Sequence, residues 1–166
     1  MFSEGLAVIV EHDKHWYIDK TGRLKIAPLY ENSGDFGQGL APVKRGDLWG
    51  YINDSNDMII EPRFDRAWGF AEGRAEIKYQ GMYGFIDLIG QIVIDPWYEL
   101  VRRFSEGLAW VKWIDKWGAI DQEGKWVIDP QFDLGVPFSG GLARVGIDGK
   151  IGYVDTSGKY IWHPTR

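Results

Sequence analysis

The chain has no cysteine among its 166 residues. This excludes disulfide bridges and thiolate metal ligands and leaves the redox compartment open. Histidine is scarce too: the three copies, His12, His15 and His163, fall in irregular stretches and none lies at metal-ligand spacing from a repeated carboxylate. No apolar run approaches the roughly 18 residues of a transmembrane helix. Met1 lies one residue before the first motif, so we expect no secretory leader. We therefore expect a cytoplasmic protein without cofactor, metal site or membrane contact.

The chain also lacks an excess of basic residues. Lys and Arg number 19 against 24 Asp and Glu, for a net charge of -5. A nucleic-acid partner would need clustered basic residues, so the charge balance argues against one. The hydrophobic content of 45% and aromatic content of 15% suffice to bury a core. We expect a single domain over residues 1–166.

The dominant feature of the sequence is a strict period of 34 residues. A hexapeptide of the type Phe-Ser-Glu-Gly-Leu-Ala recurs at this interval, beginning at Phe2, Phe36, Phe70, Phe104 and Phe138. A proline column keeps the same interval, at Pro28, Pro62, Pro96, Pro130 and Pro164. The period predicts five tandem repeats, over about 2–35, 36–69, 70–103, 104–137 and 138–166.

Each repeat is predicted to be built from strands. After the hexapeptide, a small apolar column and a Val or Ile column alternate with a variable column, occupied by Val8, Pro42, Glu76, Trp110 and Arg144. Alternation with one constant face is typical of a half-buried strand. A second strand has the form Trp49-Gly50-Tyr51-Ile52, where a fixed glycine indicates close approach of a neighbouring backbone or ring.

The second strand is followed by an Asp-x-x-Gly turn. Asp121 and Gly124 show the pattern, in which the carboxylate bonds its own turn and glycine takes a positive φ. The second repeat has Asn53 and Asn56 instead, and asparagine tolerates this conformation best among the other residues. A third strand is expected to end at the column proline, and the short connector that follows is a candidate fourth strand. The fold class is all-β, with three to four short antiparallel strands per repeat.

These segments resemble the WG-repeat family, named for its Trp-Gly pair. The best copies are Leu48-Trp49-Gly50-Tyr51-Ile52-Asn53 and Lys116-Trp117-Gly118-Ala119-Ile120-Asp121, with the Gly-Leu-Ala and Val-Ile-x-Pro segments in register around them. The resemblance covers essentially the whole chain and departs at His15-Trp16-Tyr17 and Ile151-Gly152. It implies tandem β-rich repeats in mostly bacterial proteins, and it implies no catalytic residues.

A single repeat buries too little to fold, because ordering each residue costs about 1–2 kcal/mol of backbone entropy. Neighbouring repeats must complete the core. An open stack usually carries polar caps, yet the first and last repeats keep apolar residues such as Phe2, Leu6, Phe138 and Leu142. We expect a closed, propeller-like array, with an open curved solenoid as the alternative.

The repeated polar residues are explained by structure. The aspartate column belongs to turns, and no histidine column accompanies Ser3 or Ser105, so neither a metal ring nor a nucleophile is indicated and the protein is not expected to be an enzyme. Some tryptophans occupy columns that elsewhere accept Gly, Arg, Gln or Glu, and such columns indicate solvent exposure. The predicted binding residues, between positions 68 and 113, are Trp68, Tyr79, Trp97, Trp110, Lys112 and Trp113.

Two functions fit this pattern. The first is a non-enzymatic interaction module or scaffold that binds a protein partner through variable surface aromatics. The alternative is a lectin-like or small-ligand-binding repeat protein, in which tryptophan faces stack on sugars once per repeat. The first is favoured, because a repeated pocket would keep its stacking residue in every copy. Isolated surface aromatics that only pack locally remain the structural alternative.

Overall fold

The structure of the protein is a computed structural model that describes residues 2–12 and 14–165. Within these ranges the chain forms strands and turns and no helix. Accordingly, the described part offers no helix with the length and apolarity to cross a bilayer. The prediction of an all-β chain of short antiparallel strands is confirmed.

The strands form five antiparallel sheets that follow one another along the chain. The first sheet contains β1 (Leu6–Glu11), β2 (Lys14–Asp19) and β3 (Leu24–Tyr30). The second contains β4 (Asn32–Ser33), β5 (Ala41–Arg45), β6 (Leu48–Ile52) and β7 (Met58–Phe64). The third contains β8 (Arg66–Ala67), β9 (Ala75–Tyr79), β10 (Met82–Ile86) and β11 (Ile92–Tyr98). The fourth contains β12 (Leu100–Val101), β13 (Ala109–Trp113), β14 (Lys116–Ile120) and β15 (Trp126–Phe132). The fifth contains β16 (Leu134–Gly135), β17 (Leu142–Ile147), β18 (Lys150–Asp155) and β19 (Tyr160–Thr165).

The connector between repeats forms the short strand, and this strand belongs to the following sheet. In the third sheet, Arg66 pairs with Lys78 and Ala67 pairs with Ile77. Residues 66 and 67 belong to the second sequence repeat, so sheets and sequence repeats are offset by a few residues. Each short strand therefore ties one repeat to the next through backbone hydrogen bonds.

The glycine and proline columns meet at a bulge in the second to fifth sheets. In the third sheet, Tyr83 pairs with Tyr98 and Phe85 pairs with Ile94, so β11 has two extra residues in this interval. The bulge carries Pro96, whose missing N–H costs no ladder bond there. A Cβ at Gly84 would lie 2.5 Å from the Ile94 carbonyl oxygen and 2.8 Å from the Pro96 nitrogen. The prediction that the third strand ends at the proline is wrong, because the bulge lets the strand continue past it.

The Asp-x-x-Gly segments are hairpin turns, as predicted. The Asp121 carboxylate accepts hydrogen bonds from the backbone N–H groups of Glu123, at 3.0 Å, and Lys125, at 2.8 Å. Gly124 has a φ of +79°, and Asn56 takes the same role in the second repeat with a φ of +66°. The Asn56 side chain also accepts a hydrogen bond from the Tyr30 hydroxyl of the preceding sheet, at 2.8 Å.

The core consists of apolar clusters between consecutive sheets. One cluster joins the first and second sheets through residues such as Tyr17 and Val43, and another joins the fourth and fifth through Phe132 and Val145. Two further clusters join the second to the third sheet and the third to the fourth. Among the described residues no cluster joins the fifth sheet to the first. The predicted closure into a ring is therefore not found, and apolar residues of both end sheets, such as Phe2 and Tyr153, stay exposed.

Side chains of the hexapeptide also connect neighbouring repeats. The Glu106 carboxylate accepts hydrogen bonds from the backbone N–H groups of Gly140, at 2.6 Å, and Gly141, at 2.8 Å. Glu72 binds the next turn in the same way, and Glu4 and Gln38 each accept one such bond. These contacts fix the spacing of successive sheets at the turn that precedes the long strands.

Candidate functional site

Large exposed aromatic side chains lie where the third and fourth sheets adjoin. Trp97 is 62% exposed, and Trp113 and Trp126 are each 38% exposed. The Trp113 and Trp126 rings both pack edge-on against buried Tyr98, with centroids 6.1 and 6.0 Å away. We call Trp113 and Trp126, together with Lys112, the outer aromatic surface.

Local structure explains why these tryptophans are exposed. Trp113 ends β13 at a tight turn in which Ile114 and Asp115 both have positive φ, so it stands at the tip of a hairpin. Trp126 opens β15 directly after the Asp121 turn. Trp97 alternates with Tyr98 along β11, and because neighbouring strand residues point to opposite faces, the buried tyrosine leaves the tryptophan in solvent.

Lys112 lies in an acidic setting beside these rings. Its ammonium group is 2.9 Å from the Asp115 carboxylate and 3.3 Å from the Glu99 carboxylate. Hydrogen bonds to Asp115 and then Glu99 raise the pKa of Lys112, so the side chain stays charged. The surface therefore combines flat apolar rings with a charge cluster of one cation and two carboxylates, which is net negative.

Trp110 corrects one of the predictions: it is only 1% exposed. Its ring stacks on Phe138 and meets Phe132 edge-on, in the cluster between the fourth and fifth sheets. The prediction that it is exposed is wrong, because the variable column of the first long strand faces the neighbouring sheet. The indole fits because Gly135 lies against it and leaves the space that a Cβ would fill.

Trp68 and Tyr79 lie away from the outer aromatic surface. The half-buried Trp68 packs on Tyr83 at a centroid distance of 5.8 Å, and its carbonyl accepts a hydrogen bond from the Tyr51 hydroxyl. Tyr79 is half-buried and packs edge-on against Phe64. Of the six predicted binding residues, the structure brings Trp113 against Tyr98 and Lys112 against Glu99. It leaves Trp97 exposed on the opposite face of β11 from Tyr98 and places Trp68, Tyr79 and Trp110 elsewhere.

A cavity of about 670 Å³ lies where segments of the first three repeats converge. Its walls include Trp68 and four charged side chains, Asp35, Arg66, Glu76 and Arg103. Sequence reasoning did not select these charged residues. The sequence did contain one indication of this cavity: Glu76 places a carboxylate in a column that otherwise holds Val8, Pro42, Trp110 and Arg144.

Glu76 has unusual electrostatics for a carboxylate. Burial raises the pKa of Glu76 to about 7, and the positive charges of Arg103 and Arg102 act in the opposite direction. Near neutral pH the group therefore populates both its neutral and its charged form, so it can donate or accept a hydrogen bond. Together with Arg103 and the Trp68 ring, it could hold a small polar ligand with an apolar face.

No group of three or more metal-ligating side chains is found in residues 2–12 and 14–165. His15, the best-connected histidine, is hydrogen-bonded through Nδ1 to Ser33, at 3.1 Å. Desolvation lowers the pKa of His15.

Comparison with known proteins adds a family match and a fold match. The family model described as WG containing repeat matches residues 17–49, 49–82, 83–115 and 117–150. No curated protein matches the sequence.

Among solved structures, Hsv2 from Kluyveromyces lactis superposes with a TM-score of 0.62 at 9% identity, over 98% of this chain and 60% of that one. A second Hsv2 structure gives 0.64 at 15% identity, over 92% and 58%. The dihydro-heme d1 dehydrogenase NirN gives 0.58 at 11% identity, over 99% and 45%. This chain thus spans about three-fifths of the Hsv2 chains. At such identities the likeness concerns the fold alone, which is propeller-like.

Proposed function

This chain belongs to the WG-containing repeat family, and we propose that it acts as a non-enzymatic interaction module. In this role a stack of β-sheets serves as a scaffold, and the outer aromatic surface binds a protein partner. The propeller-like fold is compatible with such a role, but the proposal depends on the surface rather than on the fold.

The observation that carries the proposal is the exposure of Trp113 and Trp126, each at 38%, where both rings pack against buried Tyr98. Tryptophan is among the residues most enriched at the energetic centres of protein interfaces, because it buries a large area at low entropic cost. Ile114, which is 75% exposed beside Trp113, extends the same apolar surface. An exposed apolar surface of this kind on a soluble domain is typical of a binding site.

The scaffold is suited to hold these side chains in place. Tyr98 is 7% exposed and packs against both Trp113 and Trp126, so the two exposed rings rest on a buried one. Side chains that are already ordered lose less entropy when a partner binds. A protein partner with an apolar patch and a basic rim would match the rings and the nearby Glu99 and Asp115.

The test is an affinity capture that compares the wild type with the double variant Trp113→Ala plus Trp126→Ala. We expect bound proteins identified by mass spectrometry to be lost from the double variant and retained by Ile59→Ala, which removes an exposed side chain from the second sheet. Circular dichroism checks that all three proteins are folded. Capture of the same proteins by the double variant would contradict the proposal.

The cavity supports a second candidate function, binding of a small polar ligand. Trp68 offers a ring for stacking, while Glu76, Asp35, Arg66 and Arg103 offer donors and acceptors for hydroxyl or ionic groups. The cavity side chains differ from repeat to repeat, so one ligand per chain is expected rather than five. Isothermal titration with a panel of sugars and metabolites tests this, using Trp68→Ala as the binding-deficient variant. A stoichiometry near five would instead indicate a pocket in every repeat.

A further inference from the structure

Each of the first four sheets packs one face against the next sheet along the chain. In the fifth sheet, residues of the equivalent face are exposed. Tyr153 is 42% exposed, whereas Tyr17 and Tyr51 at the equivalent positions are fully buried. Leu142 is 37% exposed against 8% for the equivalent Leu108. The exposed residues Leu142, Ile151 and Tyr153 are called the forward face.

The first sheet leaves the opposite side of the interface uncovered. Phe2 is 45% exposed and its equivalent Phe36 is 4% exposed. Ile9 is 37% exposed, whereas the equivalent Val43 is fully buried. Phe2 and Ile9 are called the rear face. These are the same positions that pack onto the preceding sheet at every internal interface.

The glycines of the Asp-x-x-Gly turns also distinguish the first sheet from the internal sheets. A Cβ at Gly90 would meet the Ile60 side chain of the preceding sheet at 2.9 Å, and one at Gly158 would meet Ile128 at 3.0 Å. The equivalent Gly22 of the first sheet has nothing within 4 Å. The first sheet is therefore shaped for a preceding sheet in its turn as well as in its strands.

We propose that the forward face of one chain packs against the rear face of a second copy, so that the chains associate head to tail. The 34-residue period identifies what can cover the forward face. At each internal interface, the equivalent face is covered by the hexapeptide phenylalanine and the Val or Ile of the next sheet. The first sheet carries both of these residues. Each copy has one forward and one rear face, so the interface is heterologous and assembly continues until a ring closes or a filament forms.

The proposed interface between two copies, called the joint, differs from the internal interfaces in two contacts. Gly140 replaces the carboxylate that Glu106 uses to bind the next turn, so the joint lacks these charge-assisted hydrogen bonds. Arg144 occupies the Trp110 position, and in the joint it would lie over Phe2 where Trp110 stacks on Phe138. The joint is therefore weaker than the internal interfaces, and association depends on protein concentration.

The experiment measures the mass of the intact chain by sedimentation velocity over a wide concentration range. The wild type is expected to grow beyond the monomer as concentration rises. Tyr153→Lys and Ile9→Lys should each raise the dissociation constant more than about tenfold, because a charge is desolvated in either face. Ile89→Lys, at a 70% exposed position in the turn between β10 and β11, is the matched control and should associate like the wild type.

Mixing the two face variants separates this arrangement from other modes of association. Tyr153→Lys keeps an intact rear face and Ile9→Lys an intact forward face, so together they should form a one-to-one dimer that grows no further. Thermal unfolding verifies that each variant is folded, and Ile151→Lys serves as a second forward-face variant. A wild type that stays monomeric, or a mixture that stays monomeric while the wild type associates, would overturn the proposal.

Discussion

The indole of Trp110 stacks on the ring of Phe138 across the interface between the fourth and fifth sheets, with centroids 5.7 Å apart and planes 10° from parallel. The two residues belong to different sequence repeats. Their contact shows that the variable column contributes to the core. The indole lies against Gly135, and the missing side chain of this glycine leaves room for the indole between the sheets.

Trp110→Ala is expected to lower the free energy of unfolding by about 3–5 kcal/mol, because it removes a fully buried aromatic side chain and leaves a cavity. Urea denaturation followed by circular dichroism measures the change. Trp97→Ala, the same substitution at a 62% exposed position, should change stability by about 0.5 kcal/mol or less. Equal losses in the two variants would contradict the assignment of Trp110 to the core.

Gly84→Ala is expected to destabilise the protein by about 3 kcal/mol, since the added methyl would overlap the Ile94 carbonyl and the Pro96 nitrogen of the bulge. Both opposing groups are backbone atoms and cannot rotate away. Gly69→Ala is the control, because a Cβ there would lie 3.7 Å from the Asp35 carbonyl, an ordinary contact. Thermal denaturation of both variants gives the comparison, and a tolerated Gly84→Ala would refute the close-approach explanation of the glycine column.

Glu106→Ala should cost about 1–2 kcal/mol, because the Gly140 and Gly141 N–H groups lose a charged acceptor. Glu106→Gln should cost about half as much, since the Gln38 amide at the equivalent position still binds one N–H of the next turn. Glu123→Ala, at an exposed turn residue that contributes its backbone N–H to Asp121, is expected to be neutral. Identical denaturation midpoints for the Glu106 variants and the wild type would show that this carboxylate contributes nothing.

Glu76→Gln is expected to remove part of the dependence of stability on pH. Burial raises the pKa of Glu76 from 4.5 to about 7, so the folded state holds a proton that the unfolded state releases in this range. The contribution is full below pH 4.5 and is lost as pH rises through 7. The variant should therefore exceed the wild type in stability by about 2 kcal/mol at pH 8, with a smaller difference at pH 5.

The measurement for Glu76 is chemical denaturation of the wild type and the variant at both pH values. His15, whose pKa is lowered by burial, titrates in both proteins and cancels in the difference between them. A difference that stays constant with pH would show that Glu76 has no raised pKa.

The sequence was sufficient to predict the role of a residue where that role depends only on its near neighbours in the chain. The Asp121 turn, the positive φ of Gly124 and the identification of strands all follow from contacts within a few residues, and the structure bears them out. The proline column was misread, because a two-residue bulge depends on pairing with the neighbouring strand. Trp110 was misplaced for a related reason: exposure is decided by what the neighbouring sheet carries.

The sequence by itself determined the period, the strand composition and the family, because each depends on the order of residues along one repeat. The tertiary structure alone decided which sheets share a core, that Trp110 is core while Trp97 is surface, that charged residues of three repeats share a cavity, and that among the described residues no apolar cluster joins the end sheets. The physical reason is that these properties depend on contacts between residues of different sheets, such as Trp110 and Phe138, which are set by packing between sheets and not by the pattern within any one of them.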